Sequence, residues 1–246
     1  MTLEFGLFVL VGFVGELVDA SVGMGFGVIT TSVLLAFGMP PAEASASVHI
    51  CKIVTGCMSG GSHLYLRNFD RQILYRLAIA GAGGGVVGAY ILTEIPGDVI
   101  RPFIAVYLLL MGFVILRRLR QSEVPGLRPL SVGPLALAGG FLDAIGGGGW
   151  GPIVTSTLVA RGVSPRIAVG SVNIAEVVVA FAASTAFVII IGSIHWEVIA
   201  GILTGGVVSA PIGAYLTRRL PMPLLKTFVA VSIILISTYG LTRVFL

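Results

Sequence analysis

Four long stretches of this sequence contain no Asp, Glu, Lys or Arg. They are Leu77–Thr93, Pro102–Leu116, Val177–Ile194 and Val198–Thr217. A helix needs about 20 apolar residues to cross the hydrocarbon layer of a bilayer, and flanking residues bring most of these stretches to that length. They are apolar on every side, whereas barrel strands alternate polar and apolar residues. The stretches therefore predict membrane-spanning helices, which satisfy their own backbone hydrogen bonds.

The low content of charged residues also predicts a membrane protein. The chain has 246 residues, of which 11% are charged and 56% hydrophobic, whereas a soluble domain is roughly 25% charged. The composition excludes both a water-soluble fold and a disordered chain. The basic residues are scattered over loops, so the lipid bilayer rather than nucleic acid is the expected partner. Cys51 and Cys57 lie on different faces of one helix, which predicts neither a disulfide nor a metal site.

Ten apolar segments are predicted, in two sets of five. The first set is Leu3–Val18, Phe26–Phe37, Ala44–Leu66, Ile73–Leu92 and Val99–Leu116, and the second is Val132–Leu142, Trp150–Ala160, Ile167–Ile191, Val198–Leu216 and Leu224–Leu241. Two members of each set are too short to be ordinary spans. We divide the chain into a first repeat (1–116), a basic linker (117–130) and a second repeat (131–246).

The two sets are copies of one another. Shifting Gly15–Val54 by 124 positions places it on Gly139–Val178 without a gap, and 18 of the 40 pairs are identical. Composition alone would give roughly 10% identity. A shift of 125 then pairs Gly88–Tyr90 with Gly213–Tyr215. The chain therefore arose from an internal duplication.

Loop charges indicate how the copies are oriented. The linker is basic, which favours the cytoplasmic side. Loop Glu94–Asp98 is acidic and its counterpart Arg218–Met222 is basic; loop Gly38–Glu43 is acidic and its counterpart Arg161–Arg166 is basic. The predicted fold is an all-α polytopic membrane protein with two inverted-topology repeats, each holding a broken or re-entrant helix pair plus three transmembrane helices. Secondary transporters commonly have this plan, with the site at the midplane between the repeats.

Each copy begins with a helix that runs into glycines, at Asp19–Gly27 and at Asp143–Pro152. Consecutive glycines do not hold a helix, and they let backbone N–H groups approach a ligand. A helix that follows such a turn offers an anion site at its N-terminus. The predicted substrate-binding residues of the turns are Gly23, Gly25, Gly27, Gly147, Gly148, Gly149 and Trp150. The alternative is that these glycines only permit tight helix packing.

Ionisable residues inside the bilayer suggest function by default. Lys52 and Glu176 are equivalent in the two copies, as are His49 and Asn173, three residues earlier on the same helix face. Lys52, His49 and Asn173 are predicted to bind substrate, and Glu176 to couple transport or to balance charge. The alternative is a structural ion pair between Lys52 and Glu176 or an aspartate.

Two further charges have a structural interpretation. Asp19 and Asp143 are expected to hold their glycine turns by accepting backbone N–H groups. Glu16, opposite Gly140 in the second copy, is assigned no role. No catalytic or metal-binding constellation is present in the sequence, so neither an enzyme nor a cofactor is predicted.

The duplicated pattern of Asp-Ala, a glycine-rich turn with an aromatic residue, and a short helix ending near Gly-x-x-Pro resembles the sulfite exporter TauE/SafE family. The pieces are Asp19–Pro41 and Asp143–Pro165. The resemblance implies a permease of the bacterial inner membrane for small sulfur-containing anions such as sulfite or sulfonates. A cation or metal-ion permease, or a proton-coupled carrier of another small organic acid, remains the alternative. The small anion is the expected partner, and the sequence leaves a homodimer open.

Overall fold

The computed structural model describes residues 2–22, 24–65, 67–118, 131–192 and 194–216, with isolated positions between 227 and 242. Within these residues all regular structure is helical and there is no strand. Most of the basic linker and of the predicted segment Leu224–Leu241 lies outside the described residues, as does Gly23.

Nine α-helices follow the predicted order of segments. They are α1 (Thr2–Val22), α2 (Phe26–Ala36), α3 (Pro41–Tyr65), α4 (Arg71–Glu94), α5 (Gly97–Arg118), α6 (Val132–Gly146), α7 (Ser156–Ala160), α8 (Pro165–Ile191) and α9 (Trp196–Leu216), among the residues described. The predicted segment Trp150–Ala160 is helical throughout, with a π-helical turn, Gly151–Thr155, directly before α7. Pro152 lies in the first turn of this stretch, where the missing N–H costs no intrahelical hydrogen bond.

Three of the described helices are long and apolar enough to cross a membrane. They are α4, α5 over Gly97–Val114 and α8 over Ile167–Ile191, while α2, α6 and Trp196–Ile212 are shorter apolar helices. Helix α3 is 25 residues long but carries more polar side chains. Its buried polar residues include His49 and Lys52, so α3 contributes the charged interior of the molecule.

Glycine breaks the first helix of each copy, as predicted. Helix α1 ends at Val22 and α2 begins at Phe26, with Gly25 at a φ of 130° between them. Helix α6 ends at Gly146, and Gly147 takes the left-handed conformation with a φ of 64°. Side chains other than glycine rarely adopt such angles. The two turns therefore depend on glycine at these positions.

The helices of the two copies pack in a reciprocal way. Helix α1 lies against α9, and its counterpart α6 lies against α4, while α3 and α8 cross between these pairs. Glycine makes both crossings close: a Cβ on Gly12 would collide with the backbone of Ile202, and one on Gly84 with the backbone of Leu137. The first helix of each copy is thus packed on the fourth helix of the other.

At each end of the bundle, a loop residue of one copy contacts a helix residue of the other. At one end, the His195 imidazole lies 2.6 Å from a carboxylate oxygen of Glu43. At the opposite end of the bundle, the backbone N–H of Asp70 donates to the hydroxyl of Ser171 in α8 at 3.0 Å. The Asp70 carboxylate also caps α4 by accepting the N–H of Ile73 at 2.9 Å.

Candidate functional site

Both aspartates hold their glycine turns through the same hydrogen bond. Asp19 Oδ1 accepts the backbone N–H of Phe26 at 3.1 Å, and Asp143 Oδ1 accepts that of Trp150 at 3.0 Å. Each bond spans seven residues and crosses the break in the helix. A carboxylate is well placed there because a helix N-terminus favours negative charge. The N–H groups of Phe26 and Trp150 are thus bonded to the protein's own aspartates.

Lys52 lies at the centre of a buried ion network. Its ammonium is 2.9 Å from Asp143 Oδ1 and 3.0 Å from Asp143 Oδ2. It is also 3.0 Å from Glu176 Oε1. Lys52 thereby joins α3 of the first copy to α8 and to the glycine turn of the second. The Glu176 side chain is 15% exposed, against 1% for Asp143, so Glu176 is the more accessible partner.

His49 supports the same aspartate. Its Nε2 lies 3.2 Å from Asp143 Oδ2, and its Nδ1 lies 2.8 Å from the Ser45 carbonyl oxygen. The imidazole is fully buried and is tilted against the Phe187 ring at 5.9 Å between centroids. Asp143 therefore contacts an ammonium, an imidazole and a backbone N–H, which fix it even when one contact is lost.

Asn173 occupies the position equivalent to His49 but has a different partner. Its amide nitrogen donates to the Ser59 hydroxyl at 3.0 Å. Its side-chain oxygen is buried and has no hydrogen-bond partner. Asn173 thus links α8 to the C-terminal part of α3, where Ser59 lies.

The two glycine turns touch one another directly. A Cβ on Gly27 would collide with the backbone of Gly147 and Gly148, and the Thr31 hydroxyl donates to the Gly147 carbonyl at 3.0 Å. The turns leave no space for a substrate between them in this conformation, and the substrate location between the turns stays a prediction. Because glycine has no side chain, the backbones approach until no space remains. Gly149 lies against the Tyr107 hydroxyl of α5.

Trp150 enters the site only through its backbone. Its side chain is completely buried in an apolar cluster with Leu77, Ala136 and Val154. The indole N–H donates to the Val172 carbonyl oxygen at 3.2 Å. The packed helices thus enclose the Trp150 side chain, and its predicted role in substrate binding stays a prediction.

A small cavity lies beside the ion network, on the side of the first glycine turn. Its volume is about 10 Å³, which is enough for about one water molecule. The lining residues are Glu16, Asp19, Phe26, Lys52, Thr55, Gly56, Ser59 and Glu176. Glu16, which the sequence analysis left without a role, is 2% exposed. Its spacing of three residues from Asp19 places both carboxyl groups on one helix face, and this signal was available in the sequence.

The fold and the site together define a class of protein. Helices that break at paired glycine turns around buried charges, in a duplicated apolar bundle, are typical of membrane transporters. The sequence profile described as Sulfite exporter TauE/SafE matches residues 8–240, and the chain belongs to this family. It is 41% identical over 242 residues to the Probable membrane transporter protein YtnM of Bacillus subtilis (strain 168), covering 94% of this chain and 80% of that protein. No solved structure matches the chain. The chain is thus a membrane transporter, from a family of permeases rather than enzymes.

Proposed function

We propose that the protein carries small sulfur-containing anions, such as sulfite or sulfoacetate, across the bacterial inner membrane. Transport proceeds by alternating access around the buried ion network, between two repeats of inverted topology. The family description supports the sulfur oxyanion, and the name of the Bacillus relative supports transport without naming a substrate.

The packing of the copies supports inverted topology. Helix α1 lies on α9 while its counterpart α6 lies on α4, which is the exchange that two copies related by an axis in the membrane plane would make. A contact at the end of the bundle also joins the two copies, since Glu43 of the first copy contacts His195 of the second. Rocking of one repeat against the other then opens the network to either side.

The observation that carries the anion proposal is the contact between Lys52 and Glu176. The Lys52 ammonium holds two carboxylates at about 3 Å. Asp143 is fixed by additional donors, whereas Glu176 is the more exposed partner. A small oxyanion that replaces Glu176 on Lys52 keeps the ammonium paired, and a buried anion needs such a partner. Glu176 thus occupies the place of the substrate in the empty transporter.

The four carboxyl groups in the interior, of which Glu16 and Asp143 are buried, favour the alternative of a cation substrate. Glu16, Asp19, Asp143 and Glu176 lie near one lysine and one histidine. Among the described residues, however, no three His, Cys, Asp or Glu side chains converge as metal ligands. The ligand test below therefore includes cations as an outcome.

Thermal unfolding of the detergent-purified protein tests the proposal. A ligand at 100 times its Kd stabilises the folded state by about 2.7 kcal/mol, which is about 5–11 °C for a chain of this size. We expect this shift with sulfite or sulfoacetate for wild type and for Glu176→Gln. Lys52→Met removes the charge that holds the anion and should abolish the shift, while Glu4→Gln, at the exposed end of α1, should keep it.

Uptake of the same anions into proteoliposomes then separates binding from transport. A shift with Mg²⁺ or Ca²⁺ and none with the anions would refute the anion proposal. Equal anion uptake by Lys52→Met and wild type, at equal protein content, would place the anion site elsewhere.

A further inference from the structure

The aspartate of each glycine turn and the ionisable residues beside it form a half-site. The charges of the two half-sites are not balanced to the same degree. In the second copy, Asp143 is matched by Lys52 and His49. The offset of 124 places Glu176 where Lys52 would stand beside Asp19, and Asn173 where His49 would stand. Asp19 and Glu176 line the same cavity. In the half-site of the first copy, the carboxyl groups of Asp19 and Glu176 therefore lie close together.

Glu16 adds a third carboxyl group to this half-site, and it has no counterpart in the second copy. Within the lining described, Lys52 is the only cationic side chain, and it already pairs with Asp143 and Glu176. Apart from Lys52, the described contacts of the neighbouring helices α9 and α3 with this region are uncharged. Helix α9 presents Gly206 to the Glu16 side chain, and Cys51 of α3 turns its thiol to the Ile199 carbonyl oxygen.

Glu16 is buried and Asp19 and Glu176 are half-buried, so three carboxylates around this cavity with one shared ammonium would be very costly. The cavity must therefore hold a positive ligand. Its volume of about 10 Å³ leaves space for about one water molecule, which is too little for a hydrated metal ion. A proton needs no such space.

A second observation is a buried acceptor without a donor on Asn173, a residue joined to the cavity wall through Ser59. The side-chain oxygen of Asn173 has no partner, although the residue is only 5% exposed. Its amide nitrogen is bonded to Ser59, which lines the cavity. A carboxyl group that carries a proton becomes a donor, whereas an ionised one only accepts.

We propose that Glu16 is the proton-binding residue of the transporter and that its proton moves together with the anion. This inference rests on the proposed function. A proton from one side of the membrane converts the Glu16 carboxylate to the acid, shared with Asp19 and Glu176 across the cavity. The anion takes the place of Glu176 on Lys52, the repeats rock, and both proton and anion leave on the other side. The proton thereby offsets one negative charge of the anion.

Infrared difference spectroscopy between acidic and neutral pH tests the proton site without any substrate. A protonated carboxyl group has a C=O stretch that a carboxylate lacks. Wild type should show a band that titrates, Glu16→Gln should lose it, and Glu4→Gln, a matched change at the exposed end of the same helix, should keep it. The same titrating bands in Glu16→Gln and wild type would overturn the proposal.

Proteoliposomes loaded with a pH-sensitive dye test the coupling. An alkyl sulfonate stays ionised near neutral pH, so a sulfonate gradient reports proton movement by the protein alone. Wild type and Glu4→Gln should move protons with the sulfonate, whereas Glu16→Gln should carry the sulfonate and lose the proton signal. Proton movement by Glu16→Gln equal to wild type would overturn the coupling. If wild type carries no sulfonate, the proposed function fails, and the infrared result still decides the proton site.

Discussion

Replacing Lys52 with Met tests how far the buried ion network holds the two copies together. Methionine keeps the approximate length of the side chain but removes the charge. Asp143 and Glu176, both about 3 Å from the ammonium, then lose their shared partner inside an apolar protein. Removing one member of a buried ion pair costs about 3–5 kcal/mol, because the other charge stays buried.

The structure sets the expected loss near the lower limit of that range. Asp143 keeps the His49 imidazole and the Trp150 N–H, and the Glu176 side chain is 15% exposed. We therefore expect a loss of about 3 kcal/mol in the free energy of unfolding. For a chain of this size, this corresponds to a fall of about 6–12 °C in Tm.

A second ion pair between the copies provides the control. His195 and Glu43 are 2.6 Å apart, but their side chains are 48% and 25% exposed. Exposed pairs contribute about 0–1 kcal/mol, so His195→Gln should lower Tm by at most about 4 °C. Tm is measured from the amount of monodisperse protein that remains after heating in detergent.

A double-mutant cycle completes the test. Adding Glu176→Gln to Lys52→Met removes one of the stranded charges and should recover part of the lost Tm. The reasoning is refuted if Lys52→Met costs no more than His195→Gln, or if the two changes at the network are simply additive.

Two other perturbations test the glycine turns and the topology. A Cβ on Gly148 would collide with the opposite turn, whereas one on Gly133 meets open space; Gly148→Ala should cost about 1–3 kcal/mol in thermal unfolding and lower anion uptake, and Gly133→Ala should cost nothing. Equal Tm values for the two would argue against contact between the turns. With Cys57 replaced and Cys51 buried, cysteines introduced one at a time at Ser164 and Asp98 should react with an impermeant maleimide from opposite sides of the membrane. Labelling from one side at both positions contradicts inverted repeats.

The internal duplication made much of the molecule predictable. The offset of 124 pointed to Asp19 with Asp143 and to Lys52 with Glu176, and these residues lie at the turns and in the ion network. The helix breaks were also predictable, because the alternating glycines around Phe26 and the four consecutive glycines before Trp150 disfavour a continuous helix. Both results depend on local sequence and on its repetition.

The features that were missed are those that a comparison of the two copies cannot reveal. Glu16 has glycine as its counterpart, so a comparison of the copies gives it no weight, although it is buried beside Asp19. The contact of the Tyr107 hydroxyl with Gly149 depends on how α5 packs against the second turn. The burial of the Trp150 side chain depends likewise on α8, whose Val172 carbonyl accepts its N–H. Such contacts between distant segments follow from tertiary packing.

The reciprocal packing of α1 on α9 has a consequence for biogenesis. About 170 residues separate the end of α1 from the start of α9, and at ~5–20 residues per second the ribosome needs about 9–34 s to make them. During that time α1, with Glu16 and Asp19, is without its permanent neighbour. A nascent chain of this kind depends on a temporary partner, which is a role for the insertion machinery. The first copy expressed alone would keep that need for its whole lifetime.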